Sequence, residues 1–350
     1  MGVIHSASLA VSTIGRALGQ AQGVHPKHGI KQIDRLLSNG GIEVSDLFEK
    51  WVRYVVASRE EVVVALDWTD FYQDGQSTLV ASMVTSHGRA TPLIWKTVSK
   101  NGLKDNRNEV EDSLVTLLRY TVPLSTKITL LADRGFGDVD FYAYQSAIAV
   151  GHIIRFRGNI FVTDTSGVSK PARDWLAPDG KARVMRNVLL TNKKKPVDAF
   201  VCVWHKDMKE PWFLACNGNI AAKSAANLVK LYGKRFTIEE NFRDVKDIRF
   251  GMGLSSARVN SPQHRDRLLL VSVLAVALLT FLGAASEAIG YDRMLGANTV
   301  KRRTHSLFNQ GCYYYGAIPN MPKKRLEPLV QKFGEMLNEQ PAFQQIFGIL

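Results

Sequence analysis

The chain has 350 residues, 45% of them hydrophobic, enough to bury a large core and too many for a disordered or low-complexity protein. A formal net charge of +13 points to a polyanionic partner, with nucleic acid first and an anionic membrane surface second. Only three widely spaced cysteines occur (Cys202, Cys216 and Cys312), which excludes a disulfide framework and a zinc site of the usual spacing.

Residues 1–58 read as helical. Ile30–Leu37 carries apolar residues at helical spacing beside basic ones, Ser38-Asn-Gly-Gly41 stops it, and Val44–Ser58 resumes the pattern. A small basic helical unit of this kind suits DNA binding. No basic-then-apolar segment opens the chain, so no signal peptide is expected.

Strand signals follow. Glu61–Leu66 is a short β-branched run ending at Asp67, and Asp74-Gly75 reads as a turn. Ser77–Thr85 forms a second strand, His87-Gly88-Arg89 another turn, and Ala90–Val98 a third strand. Asn108–Tyr120 has helical periodicity. Lys127–Ala132 is a buried strand ending at Asp133, Val139–Val150 is a helix, and His152–Phe156 a further strand. Three strands in an antiparallel meander, then alternating helix and strand, predict an α/β protein with a mixed sheet flanked by helices. Residues 158–217 are rich in Gly, Pro, Lys and short alternating runs and read as a mostly β insertion.

Leu231–Lys246 winds as a helix at about 100° per residue. Measured from Tyr232, Arg235, Glu239 and Lys246 fall at about 300°, 340° and 320°, one row along about four turns. Arg243 lies beside it, and Gly233 is a point where the helix can break. Leu268–Ala285 is almost wholly apolar and 18 residues long, at the lower edge for a membrane span, and reads as a buried core helix.

Asp67 and Asp133 each follow an apolar strand. Ligands of open α/β sheets gather at strand carboxyl ends. Two carboxylates on neighbouring parallel strands call for a cation, and hard oxygen ligands suit Mg²⁺. A third carboxylate, Glu239, would complete a two-metal site.

These residues carry a resemblance. Tyr232, Arg235, Glu239 and Lys246 match a Y-x2-R-x3-E-x6-K motif, Leu66-Asp67-Trp68-Thr-Asp70 resembles a first aspartate box, and Leu131-Ala-Asp133-Arg-Gly-Phe136 a second. Ser86–Leu93 and Phe250–Leu254 match as well. Over roughly residues 28–300 the chain resembles the DDE transposases of bacterial insertion sequences, of the cut-and-paste type (insertion sequence family four). The resemblance implies a ribonuclease-H-like core interrupted by a β insertion, with helical N- and C-terminal parts. It implies that Asp67, Asp133 and Glu239 hold two Mg²⁺ ions, with Mn²⁺ able to substitute. Tyr232, Arg235, Lys246 and Arg243 would contact DNA, and Trp212 would stack on a flipped base. The partners implied are the element's terminal inverted repeats, target DNA and a second copy of the chain, in a bacterial cytoplasm at the nucleoid. No membrane partner is expected.

The divisions expected are a DNA-binding region over 1–58, a catalytic core over 59–157 and 218–260, the insertion over 158–217, and a helical region over 261–350. Only 66 residues precede Asp67, fewer than this resemblance leads one to expect. The competing readings are a transposase-derived DNA-binding regulator, a metal nuclease without strand transfer, a membrane protein anchored through Leu268–Ala285, and a recombinase using Tyr232 as nucleophile. Three placed carboxylates argue against the first and the last.

Overall fold

A computed structural model describes residues 2–6, 8–85, 90–246, 252–254, 257–296 and 303–339; for Asn241 and Asp244 it describes the backbone alone. The expected turn at His87-Gly88-Arg89, and Phe250-Gly251 of the later motif, lie outside the described residues.

The chain begins with α1 (Gly2–Ser6), α2 (Val11–Gln22), α3 (Pro26–Ser38) and α4 (Ser45–Val56). Then come β1 (Glu61–Phe71), β2 (Gln76–Val84), β3 (Ala90–Ser99), α5 (Lys100–Leu103), α6 (Arg107–Thr121), β4 (Lys127–Ala132), α7 (Val139–Ala147) and β5 (Val150–Arg155). Five strands follow: β6 (Phe161–Thr163), β7 (Ser169–Pro171), β8 (Arg183–Leu190), β9 (Lys195–Val203) and β10 (Trp212–Asn217). The chain continues through α8 (Ala225–Gly233), α9 (Thr237–Lys246), α10 (Pro262–Ala288), α11 (Leu307–Ala317) and α12 (Lys323–Asn338).

Two compact units result. The larger sheet-bearing unit takes residues 55–70 and 77–241. Among the described residues its strands form one sheet in the order β3-β2-β1-β4-β5-β10-β9-β8-β6-β7. β1 pairs parallel with β4, and β4 with β5. β10 runs antiparallel to β5 and to β9, and β8 antiparallel to β9. β1, β2 and β3 are joined by connections too short for a parallel crossover, so they run antiparallel. The fold is therefore mixed α/β, with a large mixed sheet flanked by helices. The central strands are apolar on both faces, as a doubly covered sheet requires: Val64, Leu66, Leu130, Ile153 and Ile154 are fully buried. The strands drawn from residues 158–217 join this same sheet.

The second unit takes residues 1–54, 71–76 and 242–350 and is built from helices. α10 is its centre, 27 residues long, with Leu268, Ala275 and Leu279 in a core shared with Val3, Leu9, Ile14 and Leu37. It is long and apolar enough to cross a membrane, yet it packs against α1, α3, α11 and α12. Its N-terminal end is pinned by buried arginines. Arg265 pairs with Asp74 and donates from Nε to Gln76 at 2.7 Å, and Arg267 donates to the Leu37 and Ile42 carbonyls at 2.8 and 2.9 Å.

Candidate active site

β1 and β4 place the two aspartates. Their parallel register runs from Glu61↔Lys127 to Leu66↔Ala132, so Asp67 and Asp133 are the next pair along. β1 does not end at Leu66 as expected; it continues to Phe71, so Asp67 sits within the strand. Asp133 is the residue where β4 gives way to a 3-10 turn over Arg134–Phe136, and its Oδ1 accepts the Gly135 N–H at 2.8 Å. Gly135 is needed there: a Cβ would lie 2.9 Å from that carboxylate oxygen. Asp67 Oδ1 accepts the Trp68 N–H at 2.9 Å.

The segment carrying Tyr232, Arg235 and Glu239 is not one continuous helix. α8 ends at Gly233, a 3-10 turn spans Lys234–Phe236, and α9 begins at Thr237. Glycine's low helix propensity makes this the weak point of the run. In a 3-10 turn side chains three apart eclipse one another, so Tyr232 and Arg235 remain on one side despite the break. Both are buried, at 2% and 7% exposure.

Arg235 ties the acids together. Its Nη1 lies 3.4 Å from Asp67 Oδ2 and its Nη2 donates to Glu239 Oε1 at 2.7 Å. Burial works against its charge, but Tyr232, Asp67 and Glu239 outweigh that effect and hold it more firmly protonated. Asp67 is pushed up to about 6, first by burial; Arg235 opposes the shift, while Asp133 and Glu239 add to it as like charges. Asp67 thus feels both of the other carboxylates. Burial pushes the Tyr232 hydroxyl up to about 12, so it stays a neutral phenol near pH 7.

Trp212 opens β10 and is half-buried. Its ring meets Tyr232 edge-on, with centroids 5.0 Å apart, and lies 6.0 Å from the half-exposed Phe236 ring. Arg243 and Lys246 belong to the helical unit, where Arg243 is exposed and the Lys246 ammonium sits 4.8 Å over the Phe71 ring. The structure therefore brings Asp67, Asp133, Arg235, Glu239, Tyr232 and Trp212 together within the sheet unit.

Other neighbours of the site left no readable pattern. Glu210 pairs with Arg155 at 2.9 Å and with Arg134 at 3.3 Å, placing two further cations near Tyr232 and Asp133. Glu111 accepts from the Trp68 indole and from Arg107. Apart from Arg107 and Glu111, one turn apart on α6, these partners are tens of residues apart in the chain, so only the tertiary fold reveals them.

The family model for the transposase DDE domain matches residues 58–278, well over half of the chain. The chain belongs to the DDE transposase family. No curated protein matches it. Membership makes it a transposase, an enzyme of the polynucleotidyl-transferase and nuclease class that acts on DNA. For a divalent ion, the transposase's donor set has suitable chemistry: carboxylate oxygens carried side by side by adjacent strands, with a buried guanidinium offsetting their charge. Among the described residues no three acidic, imidazole or thiol groups converge closely enough to share one ion. Asp67 and Asp133 form the pair, and Glu239 is drawn to Arg235.

Proposed function

We propose that this transposase moves an insertion sequence by a cut-and-paste route and belongs with the elements whose enzymes carry the Y-x2-R-x3-E-x6-K motif. The observation that carries this reading is the convergence of Asp67 and Asp133, next to each other where the parallel pairing of β1 and β4 ends, with Arg235 of the motif, which bridges Asp67 and Glu239. The central strand order, with β1 flanked by β2 and β4, supports a ribonuclease-H-like core.

In this reading Asp67, Asp133 and Glu239 hold two divalent ions, Mg²⁺ or Mn²⁺. When bound, such ions supply Lewis acidity to the attacking and leaving oxygens of an in-line displacement at phosphorus. The protein's own groups bind and orient. Arg235 presents a planar fork that serves carboxylate and phosphate alike, so the side chain bracing Asp67 and Glu239 also suits a DNA phosphate. Tyr232, as a neutral phenol, donates a hydrogen bond rather than acting as a nucleophile. Arg243 and Lys246 add positive charge along the DNA, and Trp212 offers an indole to a flipped base. The end is nicked, closed as a hairpin, reopened and joined to target DNA. Two ends must be held together, so the working form is a homodimer on DNA, at the nucleoid of a bacterial cytoplasm. In the divisions read from the sequence, residues 1–58 bind the element's ends, 59–157 and 218–260 form the catalytic core around the 158–217 insertion, and 261–350 close the chain as a helical region.

Asp67→Ala, Asp133→Ala and Glu239→Ala should each abolish cleavage of inverted-repeat DNA while leaving end binding in place. Because the acids act as a unit, the double variants should be no worse than the singles. Cleavage by Glu239→Ala at the unmodified rate would overturn the triad. Cleavage without joining of ends, by the unmodified protein, would leave a nuclease in place of a transposase.

A further inference from the structure

Beside the aspartates lies a partly buried polar link, centred on the buried Glu111, that the proposed chemistry does not use. Trp68 directly follows Asp67, and its indole Nε1–H donates to Glu111 Oε1 at 2.7 Å. The same oxygen accepts from Arg107 Nε at 2.8 Å, one turn back along α6. The Arg107 guanidinium lies 5.5 Å from the Trp68 ring and 5.8 Å from the Phe136 ring. Phe136 closes the 3-10 turn that begins after Asp133, and it is buried at 1% exposure. Arg107 Nη2 comes within 3.4 Å of where a Cβ on Gly135 would stand.

Glu111 is 4% exposed, and burial raises its pKa against the opposing pull of Arg107 and Trp68. A carboxylate in such a place is costly unless its hydrogen bonds are made. Here they run to the residue after one aspartate and to a cation lying over the turn after the other. β1 and β4 share a backbone ladder only as far as Leu66 and Ala132. Beyond that pair, the link through α6 joins the two aspartate-bearing segments a second time.

We infer that Glu111 and Arg107 are positioning residues: they fix the spacing of Asp67 and Asp133 through Trp68 and Phe136. The inference rests on the reading of Asp67 and Asp133 as catalytic acids. Displacing a reacting group by about 1 Å costs on the order of 10²-fold in rate. Loss of the link should therefore appear in the rate at saturating DNA and leave DNA affinity unchanged.

The experiment compares Glu111→Ala, Glu111→Gln, Trp68→Phe, Arg107→Ala and Asp67→Ala in the full chain, on an inverted-repeat duplex. Cleavage rate at saturating DNA and the dissociation constant are measured separately, with ¹⁵N-indole NMR as a third readout. Glu111→Ala should lower the rate by about 10²-fold at unchanged affinity. Glu111→Gln, which keeps an acceptor for the indole, should recover part of it. Trp68→Phe, which loses the indole N–H and keeps a smaller aromatic ring, should also lower the rate, and it assigns the Trp68 indole resonance. That resonance should move in Glu111→Ala and stay near its place in Glu111→Gln. If Asp67→Ala abolishes cleavage while folded Trp68→Phe and Glu111→Ala both cleave normally, the positioning role is wrong and the active-site reading stands. If Asp67→Ala still cleaves, the active-site reading itself has failed. An Arg107→Ala variant that loses affinity and salt dependence at an unchanged rate would make Arg107 a phosphate contact and overturn the role given it here.

Discussion

At the scale of single residues, two side chains have consequences that can be measured directly. His152 on β5 is fully buried beside Tyr142, with ring centroids 4.9 Å apart, and neither ring nitrogen has a hydrogen-bond partner among the described residues. Burial pushes it down to about 3, so the folded chain keeps it neutral where the unfolded chain, near 6.5, takes up a proton. Protons then favour the unfolded state between those values, and stability falls as pH drops from 6.5 toward 3, by up to about 1.4 kcal/mol per pH unit. His152→Leu should remove that slope and stabilise the protein at neutral pH, because an unsatisfied polar group is replaced by an apolar one. Urea titrations at pH 7 and 5 test this; parallel losses in the two proteins would refute it. Trp212 poses a different question. Its edge-on contact with Tyr232 supports a packing role, while its partial exposure beside Phe236 leaves a face for a DNA base. A stacking role, worth about 1–3 kcal/mol per base, predicts that Trp212→Ala folds and nicks normally but forms and opens hairpins slowly. Equal loss at every step, with a lowered melting temperature, would make it a core residue. Asp67 and Asp133 were legible in the sequence because each ends an apolar run. The Trp68–Glu111 bond was not, since its partners are 43 positions apart and lie on elements of different type.

At the scale of elements, close packing explains what local patterning left unread. Leu231–Lys246 looked like one helix because its apolar stripe has a single phase; the break at Gly233 is the helix yielding where its propensity is lowest. β6 and β7 have three residues each, too short for alternation to register; β6 exists because β8 offers an edge to pair with, and β7 because β6 then offers the next. β4, by contrast, matches its predicted span residue for residue, because the five apolar and β-branched positions 128–132, bounded by Lys127 and Asp133, are too short a run for a helix. α10 and α11 cross at glycines. A Cβ on Gly283 would fall 1.8 Å from the Leu307 carbonyl oxygen, and one on Gly311 would fall 1.8 Å from the Leu279 oxygen. Neither backbone can yield without separating the helices. Gly283→Ala and Gly311→Ala should each destabilise the helical unit by about 1–3 kcal/mol, as overpacking does. Gly334→Ala on α12, where a Cβ meets nothing within 4 Å, is the control and should be neutral or slightly stabilising. Equal melting temperatures for all three would refute the crossing. The same packing bears on the apolar run 268–285. With Arg265 and Arg267 buried and bonded at its start, α10 should be recovered without detergent; retention in membranes after a carbonate wash would reverse that expectation.

At the scale of the whole molecule, charge is the property most plainly written in the sequence. Forty-five Lys and Arg against 32 Asp and Glu give the +13 surplus, and many of these cations already have carboxylate partners. Arg265 is held by Asp74, Arg107 by Glu111, Arg155 and Arg134 by Glu210, and Arg303 by Glu287. Such pairs serve the fold, so the gross count of 45 cations overstates what is available to DNA, and the +13 surplus is the better guide. Binding should fall linearly in log–log form with salt, with a slope of about −0.9 for each phosphate neutralised. If paired cations stay with their carboxylates, Arg134→Ala should leave the slope nearly unchanged. Arg235 is the informative exception, because its partners Asp67 and Glu239 are the acids proposed to hold cations of their own. On DNA those ions would relieve Arg235 of its carboxylates and leave it to a phosphate. Arg235→Ala should therefore lower the slope by about one unit with Mg²⁺ present and by much less with EDTA. The same loss in both conditions would mean that Arg235 meets DNA independently of the acids. No loss in either would confine it to bracing Asp67 and Glu239.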